Sequence, residues 1–414
     1  ENCKFRFRKC IVCFSWAILE VETFDHADEI TQAFAAGLLE GILTRQLITY
    51  HFHNTVEGMC DGKHEYCVKL YKYLLKNLNW IKETVNQKPK TDVYWKQYFS
   101  ICSMLQLAGD LIDLTKLFGI SEKDSSHCSG LIKIAPNNSD LFVAHVAMSG
   151  YNTMNRVLKL YKFAYKVPGY ATSFSSYAGT LNSVDDFILS SSGLAAIETT
   201  FAIFNVSLYN NVKSTGHTAS EWVKIFSRYN SGTYNNQWSL VDYKLFIPGK
   251  QLPTHGLLWV LEQTPGLTVY HDMTWYLRKH AYWPSYNIPY FAEINKISGY
   301  KEKSESMQWY NWTSSPRAKI FDRDHNKVIN MSTLQKLMRY NDYTHDEFSK
   351  CHCIPPYTAE AAISTRGDLN PANGTYEIES MGHRNHGDIK ANHDGQPTEW
   401  KFEEIETQWE CTLP

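Results

Sequence analysis

The sequence predicts a mixed α+β fold in which strands and helices build one intertwined domain. Three observations point there. A β-favouring segment near the N-terminus is followed by helical patterns, a second pair of strand patterns begins at Cys128, and no low-complexity linker, tandem repeat or coiled-coil heptad separates the two regions. With 414 residues, 43% hydrophobic and 20% charged, the chain can bury one large core or two moderate ones. A formal net charge of -2 argues against a broad nucleic-acid-binding face, which needs clustered Lys and Arg. Aromatic residues make up 14% of the chain, enough for extensive aromatic packing or recognition surfaces without naming a ligand.

Taken in order, Cys13 to Glu22 reads as a strand with partial alternation. The apolar run from Ile11 to Leu19 is too short to span a bilayer as a helix and contains Ser15. Thr23 to His26 turns the chain. Asp28 to Gln46 is predicted as a helix, opened by acidic residues, with Ile30, Phe34, Leu38 and Leu39 as its apolar face. Leu70, Leu74, Leu78 and Ile81 recur at turn spacing in a second helix, which Asn86 to Lys90 breaks. Tyr94 to Phe118 reads as a third. All these stripes are expected to pack into the core.

Gly119 to His127 is polar and expected to be accessible. Cys128 to Ala135 then reads as a strand ending at Pro136-Asn137-Asn138, and Leu141 to His145 returns as its hairpin partner. That spacing predicts Cys128 and His145 facing each other at the open end. Tyr151 to Tyr165 is expected to be helical. Phe174 to Leu181 and Ile188 to Phe201 are expected to be strands, and the C-terminal half mixes short β pieces with loops.

Ten cysteines are present. Cys60 with Cys67, and Cys351 with Cys353, can close short disulfide loops in an oxidising compartment. Zinc binding at Cys351-His352-Cys353 is the weaker alternative, because it lacks further ligands at the usual spacing. Asn-x-Ser/Thr acceptors occur at Asn137, Asn205, Asn311, Asn330 and Asn373. Together these features favour the secretory route, with a signal peptide removed before Glu1.

Cleavage before Cys128 would place a thiol and a free α-amine on one residue. With a reference pKa near ~8, the neutral amine can take the thiol proton and so supply the base without a separate dyad. The thiolate would attack an amide or ester carbonyl, and water would release the acyl group.

Cys128-Ser-Gly-Leu-Ile-Lys-Ile followed by Leu-Phe-Val-Ala-His145 resembles the start of the large fragment of phospholipase B-like proteins, glycosylated lysosomal members of the N-terminal nucleophile hydrolase superfamily. Ser175 to Thr180, Asp185 to Phe187, Asn230 to Trp238, Tyr282 to Pro289, Ser315 to Arg317, Met338 to Asp342 and Arg366 to Thr375 extend the match in the family's order. Ser15 to Leu43 resembles the family's small N-terminal fragment. The nearest resemblance is to the phospholipase B-like 2 branch.

The resemblance implies a four-layer αββα sandwich of the N-terminal nucleophile hydrolase type. It also implies self-cleavage into a smaller fragment, 1–127, and a larger one, 128–414, that stay packed as one domain. It gives Cys128 the nucleophile's role and His145 that of tuning or positioning it. Asn287 would donate its amide to the developing oxyanion, and Arg317 would hold the site's charges. Thr200 would line the site and Asp186 would align the amine. Met148 stands where the family often carries Trp, and the intervals around Asn211 to Ser214 and around Lys390 to Asn392 are short.

Other motifs read as structural. Arg366-Gly367-Asp368 sits inside a family-like string, Asp322 and Asp324 lack a calcium loop's full spacing, and Gly-x-Ser-x-Gly is missing. The expected function is acyl hydrolysis of lipid, N-acyl or small amide substrates, without cofactor, metal or nucleic acid. The expected location is the lysosomal lumen or the secreted pool, under acidic conditions, with homo-oligomer formation left open. The alternative is a catalytically weak lysosomal ligand-binding protein on the same scaffold.

Overall fold

In a computed structural model, residues 3–9, 16–57, 59–87, 108–118, 127–166, 169–181, 187–205, 207–208, 227, 232–384 and 393–396 are described. They form a mixed α+β fold with two sheets. Strands β1 (Cys3–Lys9) and β2 (Trp16–Thr23) precede helices α1 (Glu29–Leu43), α2 (Arg45–Thr55), α3 (His64–Gln87) and α4 (Ala108–Leu117). Strands β3 (His127–Ile134) and β4 (Leu141–Met148) follow, then β5 (Arg156–Lys162), β6 (Ala171–Tyr177), β7 (Phe187–Ser190), β8 (Leu194–Thr200) and β9 (Asn236–Asp242). Next come β10 (Leu258–Thr264), β11 (Leu267–Asp272), α5 (Thr274–His280), β12 (Tyr282–Ser285), α6 (Ala292–Ile297), α7 (Tyr300–Ser306), α8 (Pro316–Asp324) and α9 (Met331–Met338).

The larger sheet has nine strands in the order β1-β2-β5-β6-β7-β8-β9-β10-β11, and the smaller has three, β12-β3-β4. Their relative placement follows from strand parity. Lys159, Phe174, Ile188 and Ala196 are successive cross-strand partners and share one face of the large sheet, the face that α1 meets through Glu40. Ile197 and Thr199 point to the opposite face, towards Gly130 of β3. A side chain at Gly130 would meet Ile197 at 3.0 Å and Ser285 at 3.3 Å, so the bare glycine lets the two sheets approach. Leu131, Ile197, Val260, Trp283 and Phe321 belong to the main core, which runs from the large sheet through the small one to α8.

Several expectations held. The β3–β4 hairpin forms as read, turning through Asn137 and Asn138 at left-handed φ of 58° and 53°, which Asn tolerates. Cys60–Cys67 and Cys351–Cys353 are disulfides, so the zinc alternative for the second pair falls away. β7 and β8 divide the Ile188 to Phe201 region at a turn, and β6 stops at Tyr177, short of Leu181.

Others are corrected. Tyr151 to Tyr165 is a single 3-10 turn followed by β5, not a helix. β5 is paired on both sides and carries buried residues on both faces, so it lacks the polar alternation that would have marked it as a strand. The helix expected over Asp28 to Gln46 ends at Leu43, and a new one starts at Arg45. Most of its apolar stripe also faces outward: Ile30, Phe34 and Leu38 are exposed and Leu39 is half-buried, while Gln32, Ala36 and Glu40 are buried. Polar partners on β2 and β5 decide this, as Thr23 donates to Gln32 at 2.5 Å and Lys159 to Glu40 at 2.7 Å. The expected helix over Tyr94 to Phe118 is seen as α4 alone, its first part lying outside the described residues. No helix among the described residues is long and apolar enough to cross a membrane.

Candidate active site

Cys128 is the second residue of β3, is only 2% exposed and is not in a disulfide. Its backbone is held at both ends. The N–H donates to Asn287 Oδ1 at 3.0 Å, and the carbonyl accepts from Arg317 Nη1 at 2.6 Å. The same guanidinium reaches Ser129 Oγ at 3.2 Å and donates through Nη2 to the Tyr286 carbonyl at 2.7 Å. Arg317 stands in the first turn of α8, whose start is set by Pro316, so a rigid element aims the fork. Burial lowers its pKa to about 10, which leaves it a cation across the neutral and acid range.

Asn287 follows β12 with φ of 66°, a left-handed conformation available to Asn at modest cost. Hydrogen bonds hold it there from all sides. Its N–H donates to Thr199 Oγ1 at 3.3 Å, its carbonyl accepts from Tyr300 Oη at 2.8 Å, and its Nδ2 donates to the Thr200 carbonyl. The amide expected to meet an oxyanion is therefore engaged at both ends within the protein, with Oδ1 turned to the Cys128 nitrogen. Thr200 takes part through its carbonyl.

His145 pairs with Gly130, and Cys128 pairs with Ala147, so the two residues are not directly opposite as the spacing had suggested. They do share one face of the hairpin, the face turned to the large sheet. Asp186 lies outside the described residues. Met148 ends β4 opposite His127 and accepts a hydrogen bond from Thr365 Oγ1 at 2.8 Å.

A cavity of about 140 Å³ opens beside these residues. Asn287, Arg317 and Thr200 line it together with Phe201, Phe204, Tyr286, Tyr300, Trp309, Tyr310 and Glu360. Cys128 sits behind Asn287 and Arg317, not in the wall itself. Sequence reading did not single out Tyr286, Tyr300, Thr199 or Glu360. Tyr286 adjoins Asn287 in a quoted string and could have been found there; the other three have no local signal. Buried Glu360 lies 3.6 Å from buried Arg384 and helps keep Arg317 charged.

Elsewhere, Asn137, Asn205, Asn330 and Asn373 are exposed and Asn311 is half-buried. Arg366 pairs with Asp368 at 2.6 Å, which closes the Arg-Gly-Asp turn on itself. Asp322 accepts from Tyr282 at 3.2 Å, and Asp324 is held by Arg323 and Lys327. Among the described residues, no group of three or more His, Cys, Asp or Glu is placed to hold a metal ion.

The fold and site thus define an α+β protein with a buried cysteine at the start of a central hairpin, clamped by an asparagine and an arginine beside an aromatic cavity. Known sequences of this kind exist. The family model described as Phospholipase B matches residues 5–103 and 99–403. Phospholipase B-like 2 of Caenorhabditis elegans is 43% identical, over 99% of this chain and 85% of its own length. Phospholipase B-like 3 of the same organism is 46% identical over 90% of this chain and 73% of its own. The human phospholipase B-like 2 is 36% identical, over 95% and 84%. The chain belongs to the phospholipase B-like family. The comparisons do not separate the second branch from the third, so the nearer resemblance to the second is not upheld as a distinction.

Proposed function

We propose that this chain is an acyl hydrolase whose nucleophile is Cys128, released as an N-terminus by cleavage after His127. The observation that carries the reading is the hydrogen bond from the Cys128 nitrogen to Asn287 Oδ1. After cleavage that nitrogen becomes the α-amine, and an N–H donated to Asn287 leaves its lone pair free to take the thiol proton. The thiolate attacks the substrate carbonyl, the amine passes its proton to the leaving nitrogen or oxygen, and water then hydrolyses the thioester. Asn287 Nδ2 reaches a developing oxyanion if the substrate oxygen displaces the Thr200 carbonyl. Arg317 holds the Cys128 carbonyl and His145 steadies the thiol from the neighbouring strand. Asp186 and Thr200 complete the proposed site. The names of the relatives and the aromatic wall of the cavity favour a lipid or N-acyl substrate over a small polar amide.

The scaffold we propose is the four-layer αββα sandwich of N-terminal nucleophile hydrolases. It is supported by α1 and the small sheet lying on opposite faces of the large sheet, and by α8 beyond the small sheet. The fragments 1–127 and 128–414 would stay associated, because β2 lies between β1 and β5. Passage through the secretory route to the lysosomal lumen, with glycans on the exposed acceptors, completes the reading.

N-terminal sequencing should find a fragment beginning Cys-Ser-Gly-Leu, and Cys128→Ala should abolish both that fragment and acyl-enzyme formation. Turnover surviving in folded Cys128→Ala would reject the mechanism. A second reading, a ligand-binding protein on this scaffold, is favoured by the burial of Cys128 behind the cavity wall. Cleaved protein that binds an acyl ligand without turnover would select it.

A further inference from the structure

The hydrogen bonding at Cys128 does not stop at Asn287. Thr199 Oγ1, which accepts the Asn287 N–H, is 2.7 Å from Ser285 Oγ. Ser285 donates to Gln237 Oε1 at 2.6 Å, and Gln237 Nε2 donates to Glu262 Oε1 at 2.6 Å. Thr199, Ser285, Gln237 and Glu262 are each no more than 1% exposed. The chain crosses three adjacent strands of the large sheet, β10, β9 and β8, and bridges to the small sheet through Ser285 on β12.

Its direction is set from the far end. The Glu262 carboxylate also accepts from the Tyr290 N–H at 2.5 Å and the Phe291 N–H at 3.0 Å, so it is met by donors throughout. Gln237 must therefore turn its nitrogen to Glu262 and its oxygen to Ser285. Ser285 has one proton, which goes to that oxygen, so Thr199 must donate to Ser285 and keep its own lone pair for the Asn287 N–H. Every donor points the same way, and such a chain strengthens its members. It ends on a residue whose left-handed backbone has to be held in place, and whose side chain aims the Cys128 nitrogen.

We propose that Glu262 is a positioning residue for the Cys128 site, the fixed end of a one-way hydrogen-bond chain through Gln237, Ser285 and Thr199 that holds Asn287 in register. The proposal rests on the Cys128 reading above. Thr199→Val, Thr199→Ser and Glu262→Gln should be compared with wild type on a chromogenic N-acyl anilide, with unfolding midpoints measured alongside. Thr199→Val should lower kcat by about 10- to 100-fold with KM within about two-fold, the scale of a small misplacement at a reacting group. Thr199→Ser, which restores the hydroxyl, should recover most of that loss. Glu262→Gln, with one acceptor where three donors converge, should behave like Thr199→Val. Folded Thr199→Val with wild-type kcat would overturn the proposal, and so would Thr199→Ser as impaired as Thr199→Val, because packing would then be the cause. If Glu262→Gln fails to fold, the Thr199 pair decides. If wild type shows no Cys128-dependent turnover, the reading of Cys128 fails by itself. The chain is then judged by hydrogen exchange at the residue-128 amide of the uncleaved Cys128→Ala background. There, exchange unchanged by Thr199→Val would overturn it, and faster exchange would uphold it.

Discussion

Asn287 and Arg317 divide the work around Cys128 by chemistry: a neutral amide meets the nitrogen, and a cationic fork meets the carbonyl. Asn287→Ala should reduce acyl hydrolysis by about 100- to 1000-fold, the scale of losing one oxyanion donor. It should also slow the proposed cleavage after His127, because the same side chain holds the Cys128 nitrogen. Fragment mass and steady-state rates on one folded preparation check both. Arg317→Lys should not restore function, because a point charge cannot reach the Cys128 and Tyr286 carbonyls together. Leaving one buried carbonyl without its charged donor should cost about 2–3 kcal/mol in denaturant unfolding. A variant unfolding like wild type would show the clamp to be dispensable.

At the scale of elements, α1 shows why a helical stripe is not a burial map. Ile30, Phe34, Leu38 and Ile42 recur every fourth residue and face outward, while Glu40 is buried against Lys159 and Tyr161. Phe34→Ser should therefore change stability by no more than about 0.5 kcal/mol. Lys159→Met should cost about 3–5 kcal/mol, because it strands a buried carboxylate. Adding Glu40→Leu and Tyr161→Phe to Lys159→Met should recover most of the loss, since well-packed apolar groups substitute for a buried ion pair at little cost. Urea unfolding of the single and triple variants tests this. Equal destabilisation in both would show that shape, not charge, holds α1 to β5.

For the whole molecule, buried titratable groups set opposing slopes with pH. Burial pushes the carboxyl of Asp110 up, to about 6. Its folded value lies above the unfolded one, so its stabilisation is complete at low pH and is lost as pH rises through about 6. Burial, then the nearby Lys159 cation, lowers His51 to about 4, and burial lowers His325 to about 4. Those imidazoles stabilise the fold above about 6.5 and lose that contribution as pH falls towards 4. His51→Phe keeps the ring stacked on Tyr177 but cannot titrate. Relative to wild type, it should gain up to about 3 kcal/mol between pH 7 and pH 4. Thermal unfolding across that range checks the sign, and a constant difference would mean that His51 keeps its ordinary pKa.

What the sequence determined by itself is local or carried by whole strings. The Cys128 hairpin followed from two apolar runs around Pro136-Asn137-Asn138, and the disulfides followed from close cysteine pairs. The strings around Tyr282 to Pro289 and Ser315 to Arg317 brought Asn287 and Arg317 forward with Cys128, and family membership with them. Only the tertiary structure decided the rest. β5 was misread because a strand covered on both faces has no polar alternation, and α1 because its burial depends on Thr23 and Lys159, distant in sequence. His145 lies two residues along the hairpin from its expected partner because the turn through Asn137 and Asn138 closes on the Ile134–Leu141 pair and so fixes the register. The chain from Glu262 to Asn287 had no sequence signal, since its members lie on four strands whose hydroxyls, amides and carboxylate meet only when two sheets close on each other.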